Sequence, residues 1–129
     1  MRARLAVALV ALAAAMPAPA APPAGAVRAE IDALLGALAS SGCRFQRNGD
    51  WHTAAEARDH LRQKLSAIEA RGTLASTEQF IDKAASGSSL SGKPYLVRCG
   101  DAAEVTSAQW LTARLRALRS GADTARSAR

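Results

Sequence analysis

Two cysteines, Cys43 and Cys99, place the strongest constraint on what this 129-residue chain can fold into. In an oxidising compartment an even pair of cysteines usually forms a bridge. Their separation has none of the close spacing of a C-x-x-C redox motif or a zinc site. The pattern therefore predicts one disulfide, with two free thiols as the alternative.

The first residues of the chain have the pattern of a secretory signal. Arg2 and Arg4 form a basic start, and residues 5–16 are an unbroken apolar run that ends at Pro17. Spanning a bilayer takes roughly 20 apolar residues, so this run predicts a removable signal rather than a membrane anchor. We expect the mature chain to be exported and to have no transmembrane segment.

Small residues after the apolar run supply two candidate cleavage sites. Residues 18–20 read Ala-Pro-Ala, and residues 24–26 read Ala-Gly-Ala. We predict a signal over residues 1–20, with cleavage possible as late as 26. The predicted remainder is one compact domain over 27–119 and a small, polar and basic flexible tail over 120–129.

The charge of the chain is basic but modest. The whole chain has 17 Lys and Arg against 11 Asp and Glu, and loss of the two leader arginines lowers the net charge from +6 to +4. No block of five or six like charges occurs, so nucleic acid is not a predicted partner. An envelope protein or a small anion is compatible with this charge, and an ordinary solvated basic face is the alternative.

Apolar periodicity and capping residues predict four helices. Residues 27–40 place Val27 and the following apolar residues on one helical face. Ser/Thr-x-x-Glu/Gln capping boxes begin at Thr53, Ser76 and Thr106. These signals predict helices over 27–40, 54–71, from 76 onward, and from 106 to about 118.

Three short segments read as strands. Asn48-Gly49 separates residues 43–47 from 50–52, and this dipeptide is typical of a tight hairpin turn with positive φ. Residues 95–99 have high β-propensity. We expect 43–47 to be the central strand between the other two.

The predicted disulfide sets the register of the two cysteine strands. If Cys43 faces Cys99 in an antiparallel pair, Phe45 lies opposite Val97 and Arg47 opposite Tyr95 on the cysteine face. On the other face Arg44 then lies opposite Arg98, and like charges directly opposed repel. Either a carboxylate lies nearby or that face is open to an anion.

Together these elements predict an α+β fold. About four helices pack on a small antiparallel sheet of two to three strands, which one disulfide closes.

Several segments, taken in order, resemble those of the YfeK-like family, and the match covers roughly residues 28–118. The matching segments include the surroundings of both cysteines, part of the second helix, the third helix and the serine-rich loop. They read Ser41-Gly42-Cys43-x-Phe45-x-Arg47-Asn48-Gly49, His60-Leu61-Arg62-x-Lys64, Phe80-Ile81-Asp82, Ser88-Ser89-x-Ser91-Gly92-Lys93-Pro94-Tyr95-x-Val97-Arg98-Cys99 and Trp110-Leu111.

The YfeK-like family consists of small exported bacterial proteins with a domain of unknown function. The resemblance implies a protein of the Gram-negative periplasm. It implies no activity, cofactor or catalytic residue.

A serine- and glycine-rich stretch before Lys93 is the first candidate site. Consecutive small residues can turn backbone amides toward an anion, and a lysine adds charge. The alternative is a loop whose hydroxyls satisfy its own backbone. We expect an accessory or binding protein that engages an anionic ligand or a protein partner through a basic strand face and this loop. The candidate ligand-binding residues are Arg44, Arg47, Arg98, Lys93, Ser88, Ser89 and Ser91.

A small envelope hydrolase that uses a loop serine, Ser88 or Ser91, with His60 is the alternative function. No G-x-S-x-G motif is present, and a domain of this size leaves little room for a deep pocket. His60 could instead bond a loop carbonyl and hold the fold. A purely structural interaction module, recognisable by a large exposed apolar patch, is the third possibility. No catalytic residue, metal site or cofactor is predicted, and enzymatic activity is the less favoured reading.

Overall fold

The computed structural model describes residues 24–127, together with residues 8, 10, 11 and 13–16. Most of the predicted signal, residues 1–20, therefore lies outside the described residues. Among the helices that are described, none combines the length and the apolar character needed to cross a bilayer.

Four helices and four strands make up the described domain, which confirms the α+β class. The strands form one antiparallel sheet in the order β2-β1-β3-β4. The elements are α1 Ala24–Ala39, β1 Arg44–Arg47, β2 Asp50–Thr53, α2 Ala54–Glu69, α3 Thr77–Ala84, β3 Leu96–Arg98, β4 Val105–Thr106 and α4 Ser107–Ser127.

The core lies between the helices and one face of the sheet. Leu34 and Leu35 of α1 and Leu61 of α2 have no exposed surface. They belong to the same buried cluster as Phe45 of β1 and Val97 of β3. The 3.6-residue period of the helices and the two-residue period of the strands direct these side chains to one interior.

The hairpin between β1 and β2 has the predicted turn. Asn48 and Gly49 both adopt positive φ, 50° and 87°, as a tight hairpin turn requires. The predicted capping box follows at once, because Thr53 accepts from the Glu56 amide and Glu56 accepts from the Thr53 amide. Strand β2 therefore passes directly into α2.

The disulfide and the predicted register are both present. Cys43 is bonded to Cys99, and their Cα atoms are 4.2 Å apart. Phe45 pairs with Val97 and Arg44 with Arg98. Strand β1 is central, as expected, with β2 and β3 on either side.

Two features of the C-terminal part differ from expectation. Strand β4 is a two-residue segment that pairs with β3, and it is too short to show an alternating pattern in sequence. Helix α4 continues to Ser127, beyond its predicted end near residue 118 and into the stretch 120–129, whose flexibility stays a prediction. The small residues in this stretch include alanines, which favour helix even where little is buried.

Arg119 joins the last helix to the first and third. Its guanidinium donates to both carboxylate oxygens of Glu30 at 2.7 and 3.1 Å, and it lies 2.5 Å from the carboxylate of Glu78. These contacts hold the pKa of Glu30 and of Glu78 below the usual value. Thr77 donates a further hydrogen bond to Glu30, so the three helices meet at one ion-pair cluster.

Candidate functional site

The predicted arginine pair lies on the outer face of the sheet. Arg44 and Arg98 are directly opposed and both are exposed. Arg98 forms an ion pair with Glu104, and its guanidinium carbon lies 4.7 Å from the ring centroid of Trp51. Of the two arrangements expected for this pair, the structure therefore shows a carboxylate nearby, at Arg98.

Arg47 lies on the opposite face of the sheet from Arg44, because the two are three residues apart on one strand. Its side chain contributes to a cleft of about 410 Å³ between β1, β2, α2 and the loop before β3. We call this the basic cleft. It is lined by Arg47, Asn48, Asp50, His52, His60, Lys64, Ser88, Ser89, Leu90 and Tyr95.

A hydrogen-bonded group at the floor of the basic cleft centres on the Tyr95 hydroxyl. Arg47 Nη1 lies 2.6 Å from His60 Nδ1, and His60 Nε2 lies 3.2 Å from the Tyr95 hydroxyl. Lys64 Nζ donates to the same hydroxyl at 3.1 Å and to the Gly87 carbonyl at 2.9 Å. We call Arg47, His60, Lys64 and Tyr95 the tyrosine cluster.

Bonding capacity determines the direction of each hydrogen bond in the tyrosine cluster. A guanidinium can only donate, so His60 Nδ1 accepts from Arg47. A neutral imidazole then carries its proton on Nε2, and that N–H donates to Tyr95. Burial lowers the pKa of His60, and the positive charges of Arg47 and Lys64 and the nearby His52 lower it further, which agrees with a neutral ring.

The two cations of the tyrosine cluster lack a carboxylate partner within the described part of the chain. The ion pairs formed there involve other arginines and His52, which pairs with Glu56 at 3.3 Å. Asp50 lines the cleft and sits opposite Arg47 in the strand register, yet it forms no salt bridge with Arg47 or Lys64 among those residues. Positive charge at the cleft floor is thus uncompensated by direct contact.

Acidification should destabilise the protein through His60. Since the pKa of His60 is lower folded than unfolded, the folded state binds fewer protons, and stability falls as the pH drops below about 6.5. We expect His60→Gln to reduce this loss of stability. The measurement is the free energy of urea unfolding at a series of pH values from 7.5 to 5. His52→Gln is the matched control and should lose stability on acidification as the unmodified protein does. If the unfolding free energy fell equally with pH in both variants, the loss could not be attributed to His60.

The loop over residues 86–94, called the serine loop here, forms one wall of the basic cleft. Ser88 is buried, and its hydroxyl accepts from the amides of Leu90 and Ser91 at 3.3 and 3.2 Å. The Ser91 hydroxyl donates to the Asn48 side chain at 2.7 Å. The hydroxyl of Ser88 thus satisfies the loop's own backbone, while Asn48 ties the loop to the hairpin turn.

Close backbone packing holds the base of the serine loop. Gly87 pairs with Pro94 in an isolated bridge, and a Cβ at Gly87 would lie 2.8 Å from the Lys93 carbonyl oxygen. A side chain at this position would displace the wall of the cleft. Lys93 itself is exposed and does not line the basic cleft.

Six of the seven predicted binding residues therefore separate into two groups, and Lys93 belongs to neither. Arg47, Ser88 and Ser89 line the basic cleft, and Ser91 stabilises its wall. Arg44 and Arg98 lie on the other face of the sheet. The structure adds Lys64 and Tyr95 to the first group.

The sequence contained signals that could have placed Lys64 and Tyr95 at this site. Lys64 is four residues after His60 and therefore shares its helix face. The predicted register placed Tyr95 beside Arg47. The expectation that His60 bonds a loop carbonyl differs from the structure, where Lys64 makes that bond and His60 bonds Arg47 and Tyr95.

The geometry offers no support for a serine–histidine pair. Both ring nitrogens of His60 are engaged by Arg47 and Tyr95, and among the described hydrogen bonds none joins His60 to a serine. Ser88 uses its oxygen as an acceptor for loop amides. Within residues 24–127 there is also no group of three or more His, Cys, Asp or Glu side chains placed to hold a metal ion.

The fold and the site define a small disulfide-bonded α+β protein with a donor-rich cleft between its hairpin, second helix and serine loop. The chain belongs to a family of unknown function, DUF5329, whose model matches residues 25–119. The matched range includes the whole basic cleft and both cysteines.

A relative supports the same assignment. Over 68 residues the chain is 52% identical to the uncharacterized protein YfeK of Salmonella typhimurium. The matched segment covers 52% of this chain and 55% of that protein. The chain thus spans about half the length of the curated relative that it matches. No solved structure shows significant similarity to this chain.

Proposed function

We propose that this protein is exported to the periplasm and there binds a small anionic ligand in the basic cleft without transforming it. The ligand's negative charge lies between Arg47 and Lys64, and the serine loop forms the side of the site. The single observation that carries the proposal is the absence, among the described residues, of any carboxylate paired with these two cations.

Export is supported by the basic start and short apolar run of the leader. It is supported independently by the disulfide between Cys43 and Cys99, because such bonds persist mainly in oxidising compartments. Signal removal between residues 20 and 23 would leave α1 whole, since that helix begins at Ala24.

Hydrogen-bond capacity in the tyrosine cluster favours an anion over a neutral ligand. The Tyr95 hydroxyl accepts from His60 and Lys64, which occupies both of its acceptor positions. Its own proton finds no acceptor within the described part of the chain and can donate into the cleft. Arg47 and Lys64 add charged donors, and charge-assisted hydrogen bonds are the strong ones.

The ligand class can be tested by titrating the mature protein with inorganic phosphate, sulfate and succinate, with glucose as the neutral probe. We expect binding of at least one anion, seen as NMR shift changes at Arg47, Lys64 and Ser89, and none of glucose. Arg47→Ala and Lys64→Ala should each weaken that binding about tenfold or more, since a hydrogen bond to a charged group is worth about 1.5–3 kcal/mol.

Arg62→Ala is the matched control for this titration. Arg62 is exposed on α2, two residues from His60 and Lys64, so its loss changes the net charge equally without touching the cleft. Anion affinity should stay within about twofold of the unmodified protein. Failure of all three anions to bind, or binding that survives both cleft substitutions, would overturn the proposal.

A further inference from the structure

Leu90 stands at the mouth of the basic cleft with almost its whole surface in water. It is 98% exposed, yet it is one of the residues that line the cleft. Isolated exposed leucines are ordinary on protein surfaces. This one is unusual in its position, because it lines a cavity that also contains Arg47, Lys64 and Tyr95.

We infer that the ligand of the basic cleft is an anionic amphiphile: a phosphate or carboxylate head attached to a short apolar chain. This inference rests on the proposed function and names the class of ligand for the same site. The head lies between Arg47 and Lys64, and the chain passes outward over Leu90. Covering Leu90 removes apolar surface from water on both partners, which favours binding.

The shape of the site favours a single small molecule over a membrane surface. A concave cleft of about 410 Å³ falls within the range of small-molecule sites. One leucine supplies too little apolar area to hold a protein on a bilayer, where stable anchoring takes more than one such signal. Arg47 and Lys64 are also only partly exposed, so a flat surface reaches them less readily than a small molecule does.

The serine loop holds Leu90 in place. The amide of Leu90 donates to the Ser88 hydroxyl, and the next residue, Ser91, bonds Asn48 of the hairpin turn. Leu90 therefore lies between two serines with fixed hydrogen bonds, Ser88 and Ser91. This reduces the conformational cost of placing its side chain against a ligand.

The test compares inorganic phosphate with hexyl phosphate, which remains monomeric, by calorimetric titration of the mature protein. We expect hexyl phosphate to bind at least tenfold more tightly than phosphate. Leu90→Ser should abolish most of that difference and leave phosphate affinity within twofold. Because Leu90 is 98% exposed, its substitution leaves the fold intact. Val105→Ser, at an exposed apolar residue outside the cleft, is the control and should keep the preference.

Each outcome separates this inference from the function on which it rests. Equal affinity for the two phosphates, with binding lost in Arg47→Ala, overturns the amphiphile and leaves the anion site standing. Loss of all anion binding overturns both. Leu90-dependent binding to vesicles of phosphatidylglycerol, without a preference for hexyl phosphate in solution, overturns the inference in favour of a membrane surface.

Discussion

Reduction of the Cys43–Cys99 bond is expected to cost this protein a large share of its stability. The bridge joins residues 56 apart in sequence, and the chain-entropy relation for a loop of that size gives about 4 kcal/mol. A domain this small has a total stability of only about 5–15 kcal/mol. The melting temperature should therefore fall by at least about 15 °C, measured by circular dichroism with and without reductant.

A double variant, Cys43→Ala with Cys99→Ala, separates the bond from other effects of the reductant. Its melting temperature should match that of the reduced protein and should not change when reductant is added. Identical melting curves for the oxidised and reduced forms of the unmodified protein would show that the bridge contributes nothing. The bond also joins the start of β1 to the end of β3, so its loss should loosen the register of that pair.

Replacement of Tyr95 by alanine should be comparably severe. The side chain is 1% exposed, and its ring centroid lies 5.0 Å from that of Phe45. Truncating a buried aromatic residue costs about 3–5 kcal/mol through lost burial and the cavity left behind. We expect a loss of this size in the free energy of urea unfolding at pH 7.5.

Tyr95→Phe distinguishes packing from hydrogen bonding. It keeps the ring and its position over Lys64 Nζ, 5.0 Å from the centroid, but removes the acceptor for His60 and Lys64. The unpaired donors should cost about 1 kcal/mol, the low end of the usual range, because water in the cleft can reach them. If the alanine variant lost no more stability than the phenylalanine variant, the packing argument would be wrong.

Much of the fold could be predicted from local signals in the sequence. Thr53 and Glu56 form their capping box, and Asn48-Gly49 forms its turn, because each depends on neighbours in sequence. The pairing of Phe45 with Val97 joins residues that are far apart in sequence. It was predictable because a covalent bond at Cys43 and Cys99 leaves one antiparallel register in which both cysteines face each other.

Strand β4 and the full length of α4 were harder to predict from the sequence. Val105 and Thr106 form a strand only because Leu96 and Val97 of β3 offer them an open edge, and no local pattern shows that edge. The end of α4 is likewise affected from a distance, since Arg119 is held by Glu30 and Glu78 from two other helices.

Strand alternation places Arg44 and Arg47 on opposite faces of the sheet, so that part of the site was predicted from the two-residue period of the strand alone. The tyrosine cluster could not be predicted in this way, because it depends on the angle at which α2 packs across the sheet. Only that packing brings Lys64 Nζ within 3.1 Å of the Tyr95 hydroxyl and within 2.9 Å of the Gly87 carbonyl.

The sequence by itself determined the helices, the hairpin, the covalent closure and the pairing of β1 with β3, because caps, turns and a disulfide act through bonded or neighbouring atoms. The tertiary structure alone decided which cations remain unpaired. Arg98 meets Glu104, whereas Arg47 meets a neutral imidazole. The physical reason is that charge compensation depends on distance in space, and residues far apart in sequence become neighbours only when the helices pack on the sheet.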